Sequence, residues 1–180
     1  MKKPSVTELL QLLDKPELIQ WANKQGLKGI DINEKRKEYL SIGNSIHSQI
    51  ESYVRNGENF ISLDVQNRFK MFISDKEILS IETSIETDYF VGRYDMKIKW
   101  NGKIYIIDFK SNHKSIYLEN RLQLVGYAMA ESCDSFAIVS VPDFTILNFK
   151  IANRKPYEEI LKSLSNIYNL KNQIENGKLQ

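Results

Sequence analysis

A chain of 180 residues that is 42% hydrophobic and 27% charged is long enough for one domain with a real core and short for two. The net charge of +2 provides no basic field over the whole molecule, so affinity for nucleic acid would need a local patch. Its one cysteine, Cys133, excludes an internal disulfide, a cysteine-based zinc site and a four-cysteine iron–sulfur cluster. The sequence contains neither an apolar run of membrane-spanning length nor a signal peptide, which predicts a soluble, cytoplasmic protein.

Helical patterns dominate residues 1–76, the first part of the predicted domain. Ser5 or Thr7 can cap the first helix, and Asn33 opens the longest one, in which His47 lies on the inward-facing stripe. The four predicted helices cover residues 5–13, 16–26, 33–55 and 64–74.

Residues 77–180 alternate strand patterns with helix patterns and contain no repeat or low-complexity linker. The predicted strands are Ile78–Glu86, Phe90–Trp100, Lys103–Lys110, Phe136–Val141 and Thr145–Ile151, and the predicted helices are Tyr117–Glu131 and Tyr157–Asn176. Leu118, Leu122, Val125 and Met129 form the predicted buried stripe of the first of these helices. We therefore expect residues 1–180 to form a single α/β domain with a central mixed sheet flanked by helices.

A hairpin is the clearest local signal in the chain. Asn101-Gly102 is the strongest short hairpin sequence, and a two-residue loop fixes the strand register. If Trp100 pairs with Lys103, Asp95 lies opposite Asp108, with the two Cβ atoms roughly 5 Å apart on one face. The opposite face is predicted to be the core, with the carboxylates pointing away from it, and carries Tyr94, Met96, Ile98, Ile107 and Phe109.

Two facing carboxylates repel each other unless a cation lies between them or one of them is protonated. Hard oxygen ligands favour Mg²⁺ or Mn²⁺, and the main-chain carbonyl of Phe109 projects near the same point. Two such metals about 3.5–4 Å apart are a standard means of hydrolysing a phosphodiester. Lys110 shares the face of Asp108, where its ammonium could orient the attacking water and offset charge on the phosphate.

These residues resemble the PD-(D/E)XK nuclease superfamily, in which an Asp and an (Asp/Glu)-x-Lys motif stand on adjacent strands. Asp95 and Asp108-Phe109-Lys110 match that pattern. Gly43-x-x-x-His47 upstream and Gln123-x-x-x-Tyr127 downstream are similar to the additional motifs of the RecB-like branch. The segments Pro4–Leu10 and Lys15–Trp21 are similar to the opening of phage-encoded exonucleases and of the mitochondrial genome-maintenance exonuclease. Five ordered motifs are far more specific than a lone Asp-x-Lys.

The resemblance implies a restriction-endonuclease-like fold and assigns roles to residues outside the hairpin. His47 would be a metal ligand, and an acidic residue on the strand before the hairpin would assist the metal site. Glu82 is the candidate for that acidic residue, with Glu86 and Glu51 as alternatives. Gln123 and Tyr127 would contact substrate or support the centre. Iron–sulfur members of this branch require cysteines that this chain lacks.

Other readings of these residues stay open. In an arbitrary protein an inward-facing histidine is more often a satisfied core residue than a ligand, and the polar ends of Gln123 and Tyr127 could simply reach the surface of an amphipathic helix. Arg93, opposite Lys110 in the hairpin register, is either a phosphate clamp or an exposed strand residue. In the predicted loop after Lys110, Ser111, His113 and Lys114 are candidates for DNA-backbone contacts or ordinary solvated loop residues.

The leading hypothesis is a metal-dependent deoxyribonuclease of phage or prophage origin, acting in DNA recombination or repair. The resemblance implies that it is an exonuclease acting on single-stranded ends or flaps. The alternatives are a structure-specific endonuclease and a non-catalytic nucleic-acid-binding or assembly module that keeps the fold. Because an imidazole accompanies the carboxylates, Mn²⁺ is expected to support activity at least as well as Mg²⁺.

Overall fold

The computed structural model describes residues 3–111 and 115–177 of the chain. Its elements in chain order are α1 (Val6–Leu10), α2 (Pro16–Gly26), α3 (Ile32–Asn56), α4 (Leu63–Ile73), β1 (Glu77–Glu86), β2 (Val91–Trp100), β3 (Lys103–Ser111), α5 (Leu118–Ala128), β4 (Ser135–Val141), β5 (Thr145–Phe149) and α6 (Lys155–Glu175). None of the helices in these two described ranges combines the length and the apolar character that a membrane crossing requires.

The five strands form one sheet in the order β1-β2-β3-β4-β5. Neighbouring strands are antiparallel except β3 and β4, which are parallel. A parallel pair needs a long crossover connection, and α5 lies within that connection. The mixed α/β fold predicted from the sequence is therefore confirmed, with β3, the strand of Asp108 and Lys110, at the centre of the sheet.

Helices cover both faces of the sheet, and each face carries its own core. On one face α3 and α4 pack through residues such as Ile50 and Phe69 against Met96 and Ile107. On the other, α1, α5 and α6 enclose an apolar cluster. That cluster includes Leu9, Ile106, Leu122, Val125, Ile138 and Leu161.

The hairpin register is as predicted over most of its length. Trp100 pairs with Lys103, and the ladder continues to Met96 and Ile107. Asn101 and Gly102 both have positive φ, 49° and 75°, as a type I′ turn requires. The ladder ends one pair before the two aspartates.

The predicted core face of the hairpin is confirmed for Met96, Ile98, Ile107 and Phe109, which share one cluster, and is wrong for Tyr94. Tyr94 packs in the same cluster as Tyr127, whereas Met96 packs with Ile107 and Phe109 on the opposite face. Glu82, whose φ is 44°, is the residue of β1 between the partners of Met96 and Tyr94, Ile81 and Thr83. Both faces therefore carry a core, and the carboxylates lie at the point where the alternation breaks.

Several predicted boundaries also change. Asp31, rather than Asn33, caps α3, because its Oδ1 accepts hydrogen bonds from the backbone N–H groups of Asn33 and Glu34. Ser111 is the last residue of β3, where it pairs with Val141, and is not part of a loop. Leu118 is 50% exposed and so does not belong to the buried stripe of α5, which includes Leu122 and Val125.

Candidate active site

Three side chains from three different elements converge near the centre of the sheet. His47 of α3 places its Nδ1 3.5 Å from Oε1 of Glu82 and 3.6 Å from Oδ1 of Asp95. One ligand atom from each of the three lies within 4.8 Å of the others. The structure thus brings Glu82 to this cluster, whereas Glu86 pairs with Lys3 and Glu51 pairs with Arg55.

The backbone of Glu82 is in the left-handed region, which is costly for a residue that has a side chain. Such outliers cost on the order of 1–3 kcal/mol and concentrate at functional sites. The side chain of Glu82 is only 6% exposed, so its carboxylate is directed inward to the cluster and not to solvent. Strand parity does not distinguish Glu82 from Glu86, because it places both on one face. The sequence does not reveal the positive φ of Glu82.

Gly43 allows α3 to approach the end of β3 closely enough for His47 to reach the cluster. A Cβ at position 43 would lie 3.1 Å from Oγ of Ser111. One turn further along α3, His47 Nε2 donates a hydrogen bond of 3.1 Å to the Phe109 carbonyl oxygen. This bond fixes the tautomer and leaves Nδ1 directed at the carboxylates. Burial lowers the pKa of His47, but the Glu82 hydrogen bond and the negative charges of Asp95 and Asp108 outweigh it, and the net shift is upward.

The two aspartates of the hairpin are buried and electrostatically opposed. Burial, followed by the negative charge of Asp108, raises the pKa of Asp95 to about 7, although the Phe109 N–H donates to its Oδ2 at 2.6 Å. Asp108 is 1% exposed. Its Oδ2 lies 2.8 Å from Lys110 Nζ, yet within the described ranges it accepts no well-directed hydrogen bond.

Lys110 begins a chain of hydrogen bonds that continues into α5. Its Nζ donates to Oδ1 of Asp108 at 3.0 Å and to Oε1 of Gln123 at 3.2 Å, and Gln123 Nε2 donates to the Tyr127 hydroxyl at 2.7 Å. Burial lowers the pKa of Lys110, but the charges of Asp108 and Asp95 and the hydrogen bond to Asp108 raise it by more. Burial also raises the pKa of Tyr127. Lys110 is therefore a fixed cation, and the sequence-predicted Gln123 and Tyr127 both lie beside it.

The predicted DNA contacts divide into three groups. Arg93 is 64% exposed and forms an ion pair with Glu82, its Nε 2.9 Å from Oε2, at the rim of the site. Ser111 lies against α3 at Gly43, away from the carboxylates. His113 and Lys114 lie outside the described residues.

A cavity of about 800 Å³ contains the site and is bounded by α1, α3, β1, β2, β3 and α5. His47, Glu82, Asp95, Asp108 and Lys110 line it together. Three further lining residues, Lys15, Asn44 and Tyr117, have no site role predicted from the sequence. Asn44 could be found from its helical spacing of three residues before His47, while the other two come together only through tertiary packing.

The donor set fits a divalent cation. A cation would offset the burial and the Asp108 charge that raise the pKa of Asp95, and it would give Oδ2 of Asp108 a partner. The imidazole of His47 is already oriented toward the same point. Oxygen donors with one nitrogen suit Mg²⁺ or Mn²⁺. His47, Glu82 and Asp95 would hold the metal. Asp108 lies in the same cavity, and the Phe109 carbonyl keeps a second lone pair beyond the His47 hydrogen bond.

Comparisons with known proteins add little to this description. No family model matches the chain, and no curated protein matches it. Among solved structures, 19 chains match, one of them the crystal structure of SSO0001. That protein is 17% identical to this chain, with 91% of this chain and 75% of that chain covered and a TM-score of 0.45. The fold and the site define an α/β protein in which buried carboxylates lie beside a half-buried histidine and a half-buried lysine.

Proposed function

We propose that this chain is a metal-dependent deoxyribonuclease that hydrolyses phosphodiester bonds at single-stranded DNA ends or flaps. One observation carries the proposal: His47, Glu82, Asp95 and Asp108 converge in one cavity beside a fixed lysine cation, Lys110. The ordered motifs that resemble the RecB-like branch of the PD-(D/E)XK superfamily support the choice of nuclease. The same resemblance supplies DNA as the substrate and the exonuclease mode of action.

In this proposal two divalent cations, when bound, neutralise charge on the scissile phosphate and make a neighbouring water a better nucleophile. The protein's own contribution is positioning and charge. Lys110, held by Asp108 and Gln123, donates to a phosphate oxygen or to the attacking water and offsets the negative charge that develops. Tyr127 fixes the amide of Gln123, so that its carbonyl oxygen stays directed at the ammonium. Arg93 at the rim suits an incoming phosphate.

The test is cleavage of an end-labelled single-stranded oligonucleotide by purified protein with Mn²⁺, Mg²⁺ or EDTA. We expect hydrolysis with either metal, at least as fast with Mn²⁺, and its loss in Asp108→Asn. Glu131→Gln is the matched control, because Glu131 pairs with Lys97 away from the cavity. Cleavage by Asp108→Asn at the wild-type rate would refute the proposal, and a clear preference for Mg²⁺ would contradict the expected role of the imidazole. Cutting of a circular single strand would establish an endonuclease instead.

A further inference from the structure

A second cavity, of about 320 Å³, adjoins the carboxylate site. Lys15, Leu18, Trp21, Tyr117 and Glu119 line it, from the start of α2 on one side and the start of α5 on the other. Three of these residues, Lys15, Tyr117 and Glu119, also line the larger cavity that contains Asp95 and Asp108. The two cavities therefore share a wall, and a strand bound at the carboxylates could reach both.

The lining of this aromatic cavity suits a nucleobase. Trp21 and Tyr117 provide two flat π-systems, and Leu18 adds an apolar wall that is 46% exposed. Stacking on aromatic side chains tolerates any base, because every base has a π-face. Lys15, at the junction of the two cavities, can neutralise the phosphate between two nucleotides, and Glu119 can accept a hydrogen bond from a base amino group.

We propose that the aromatic cavity stacks an unpaired base of the DNA strand whose phosphate lies at the carboxylate site. This inference rests on the proposed function for the identity of the strand. In a duplex both faces of each base are covered by neighbouring bases, and extruding one costs a few kcal/mol. A base already unpaired enters without that cost, so the cavity selects single-stranded DNA next to the scissile bond.

Binding is measured separately from cleavage, in the Asp108→Asn protein without divalent cation. The probe is a fluorescein-labelled ten-nucleotide oligothymidylate, followed by anisotropy. Stacking contributes about 1–3 kcal/mol per base, so Trp21→Leu and Tyr117→Leu should each weaken binding about 5- to 150-fold. Trp21→Phe, which keeps a ring, should recover most of the affinity. Trp100→Phe is the matched control, because Trp100 bonds to Asp75 at the hairpin end and lines neither cavity.

Two further arms identify the base as the bound group. The first arm uses an oligonucleotide of the same length with three consecutive abasic positions. The Asp108→Asn protein should bind it more weakly than the intact strand, whereas the protein that also carries Trp21→Leu should bind the two strands about equally. In Trp100→Phe, Trp21 is the only tryptophan, and the intact strand should quench its fluorescence.

The inference would be overturned if both leucine variants bound the strand as tightly as the parent protein does. It would also be overturned if these variants lost as much affinity for a blunt duplex as for the single strand, or if the strand did not quench Trp21. Tyr117 is 43% exposed, so Tyr117→Leu keeps the test available if Trp21→Leu does not fold. If the protein stacks the strand but never cleaves it, the proposed nuclease function is refuted and the base-stacking site is retained.

Discussion

At the residue scale, Asp95 shows how a buried carboxylate can destabilise the protein that carries it. Its pKa rises from 3.8 to about 7 because it is buried next to Asp108. The folded protein therefore binds this proton more tightly than the unfolded chain does. Ionisation of Asp95 consequently lowers the free energy of unfolding as the pH rises from about 4 to 7, and the full cost is present above pH 7.

Asp95→Asn should remove this cost while its amide oxygen still accepts the Phe109 hydrogen bond. In EDTA at pH 8 we expect the variant to gain at least about 1 kcal/mol, a rise of about 2–4 °C in melting temperature for a chain of this size. The gain should shrink towards zero near pH 4. Asp143→Asn, at an exposed turn, should show no such trend in the same thermal scans. A variant less stable than wild type at pH 8 would contradict the expected repulsion.

A different prediction concerns Lys110, because the role proposed for it is to supply charge and not to bind metal. Lys110→Met keeps most of the side-chain length but removes the ammonium that contacts Asp108 and Gln123. Removal of one preorganised electrostatic group typically costs 10²–10³ in rate, so we expect about that loss of Mn²⁺-dependent hydrolysis. Lys97→Met is the matched control, since Lys97 is also partly buried and ion-paired but lies outside the cavity. Activity of Lys110→Met within fivefold of wild type would exclude this role.

At the scale of elements, the site depends on how closely α3 approaches β3. Gly43→Val would drive methyl groups into Ser111, since even a Cβ lies 3.1 Å from its Oγ. We expect a loss of about 1–3 kcal/mol in stability and weaker Mn²⁺ binding, because His47 follows one turn later on the displaced helix. Calorimetry and metal titration measure the two effects. Gly26→Val is the control at a helical glycine whose Cβ position is open, and an equal response of the two variants would rule out the close approach.

The elements also show what the sequence could predict. Asn101-Gly102 predicted the hairpin register because turn geometry is local, and the ladder from Trp100 to Met96 follows it. The positive φ of Glu82 could not be predicted, because it depends on contacts across the site and not on local preference. Strict alternation along β2 also predicts the wrong face for Tyr94.

For the molecule as a whole, periodicity and ordered motifs were enough to predict a mixed sheet flanked by helices. They did not predict the neighbourhood of the site, because Lys15 and Tyr117 are about a hundred residues apart and meet only through packing of the first helices against α5. The same packing joins the aromatic cavity to the carboxylate centre. The proposed selection of single-stranded DNA would thus depend on tertiary structure, whereas the hairpin aspartates and Lys110 can be identified from local spacing.

Cation binding should be visible in the stability of the whole molecule. A ligand that binds only the folded state at one hundred times its Kd adds about 2.7 kcal/mol, which corresponds to a rise of roughly 5–11 °C for this size. We expect Mn²⁺ to produce such a shift in differential scanning fluorimetry, EDTA to reverse it, and His47→Ala or Asp108→Asn to reduce it. Glu131→Gln should respond as wild type does.

The same measurement separates the nuclease from a non-catalytic nucleic-acid-binding module that keeps the fold. Such a module would gain nothing from burying Asp95 and Asp108 together, since the pair destabilises the metal-free chain. No shift with Mn²⁺ at any concentration would therefore favour the module. If Mn²⁺ raises the melting temperature of the wild-type protein but no strand is hydrolysed, the cation site is supported and the nuclease is refuted. If Asp108→Asn abolishes both the Mn²⁺-dependent rise in melting temperature and cleavage, cation binding and hydrolysis depend on the same carboxylate.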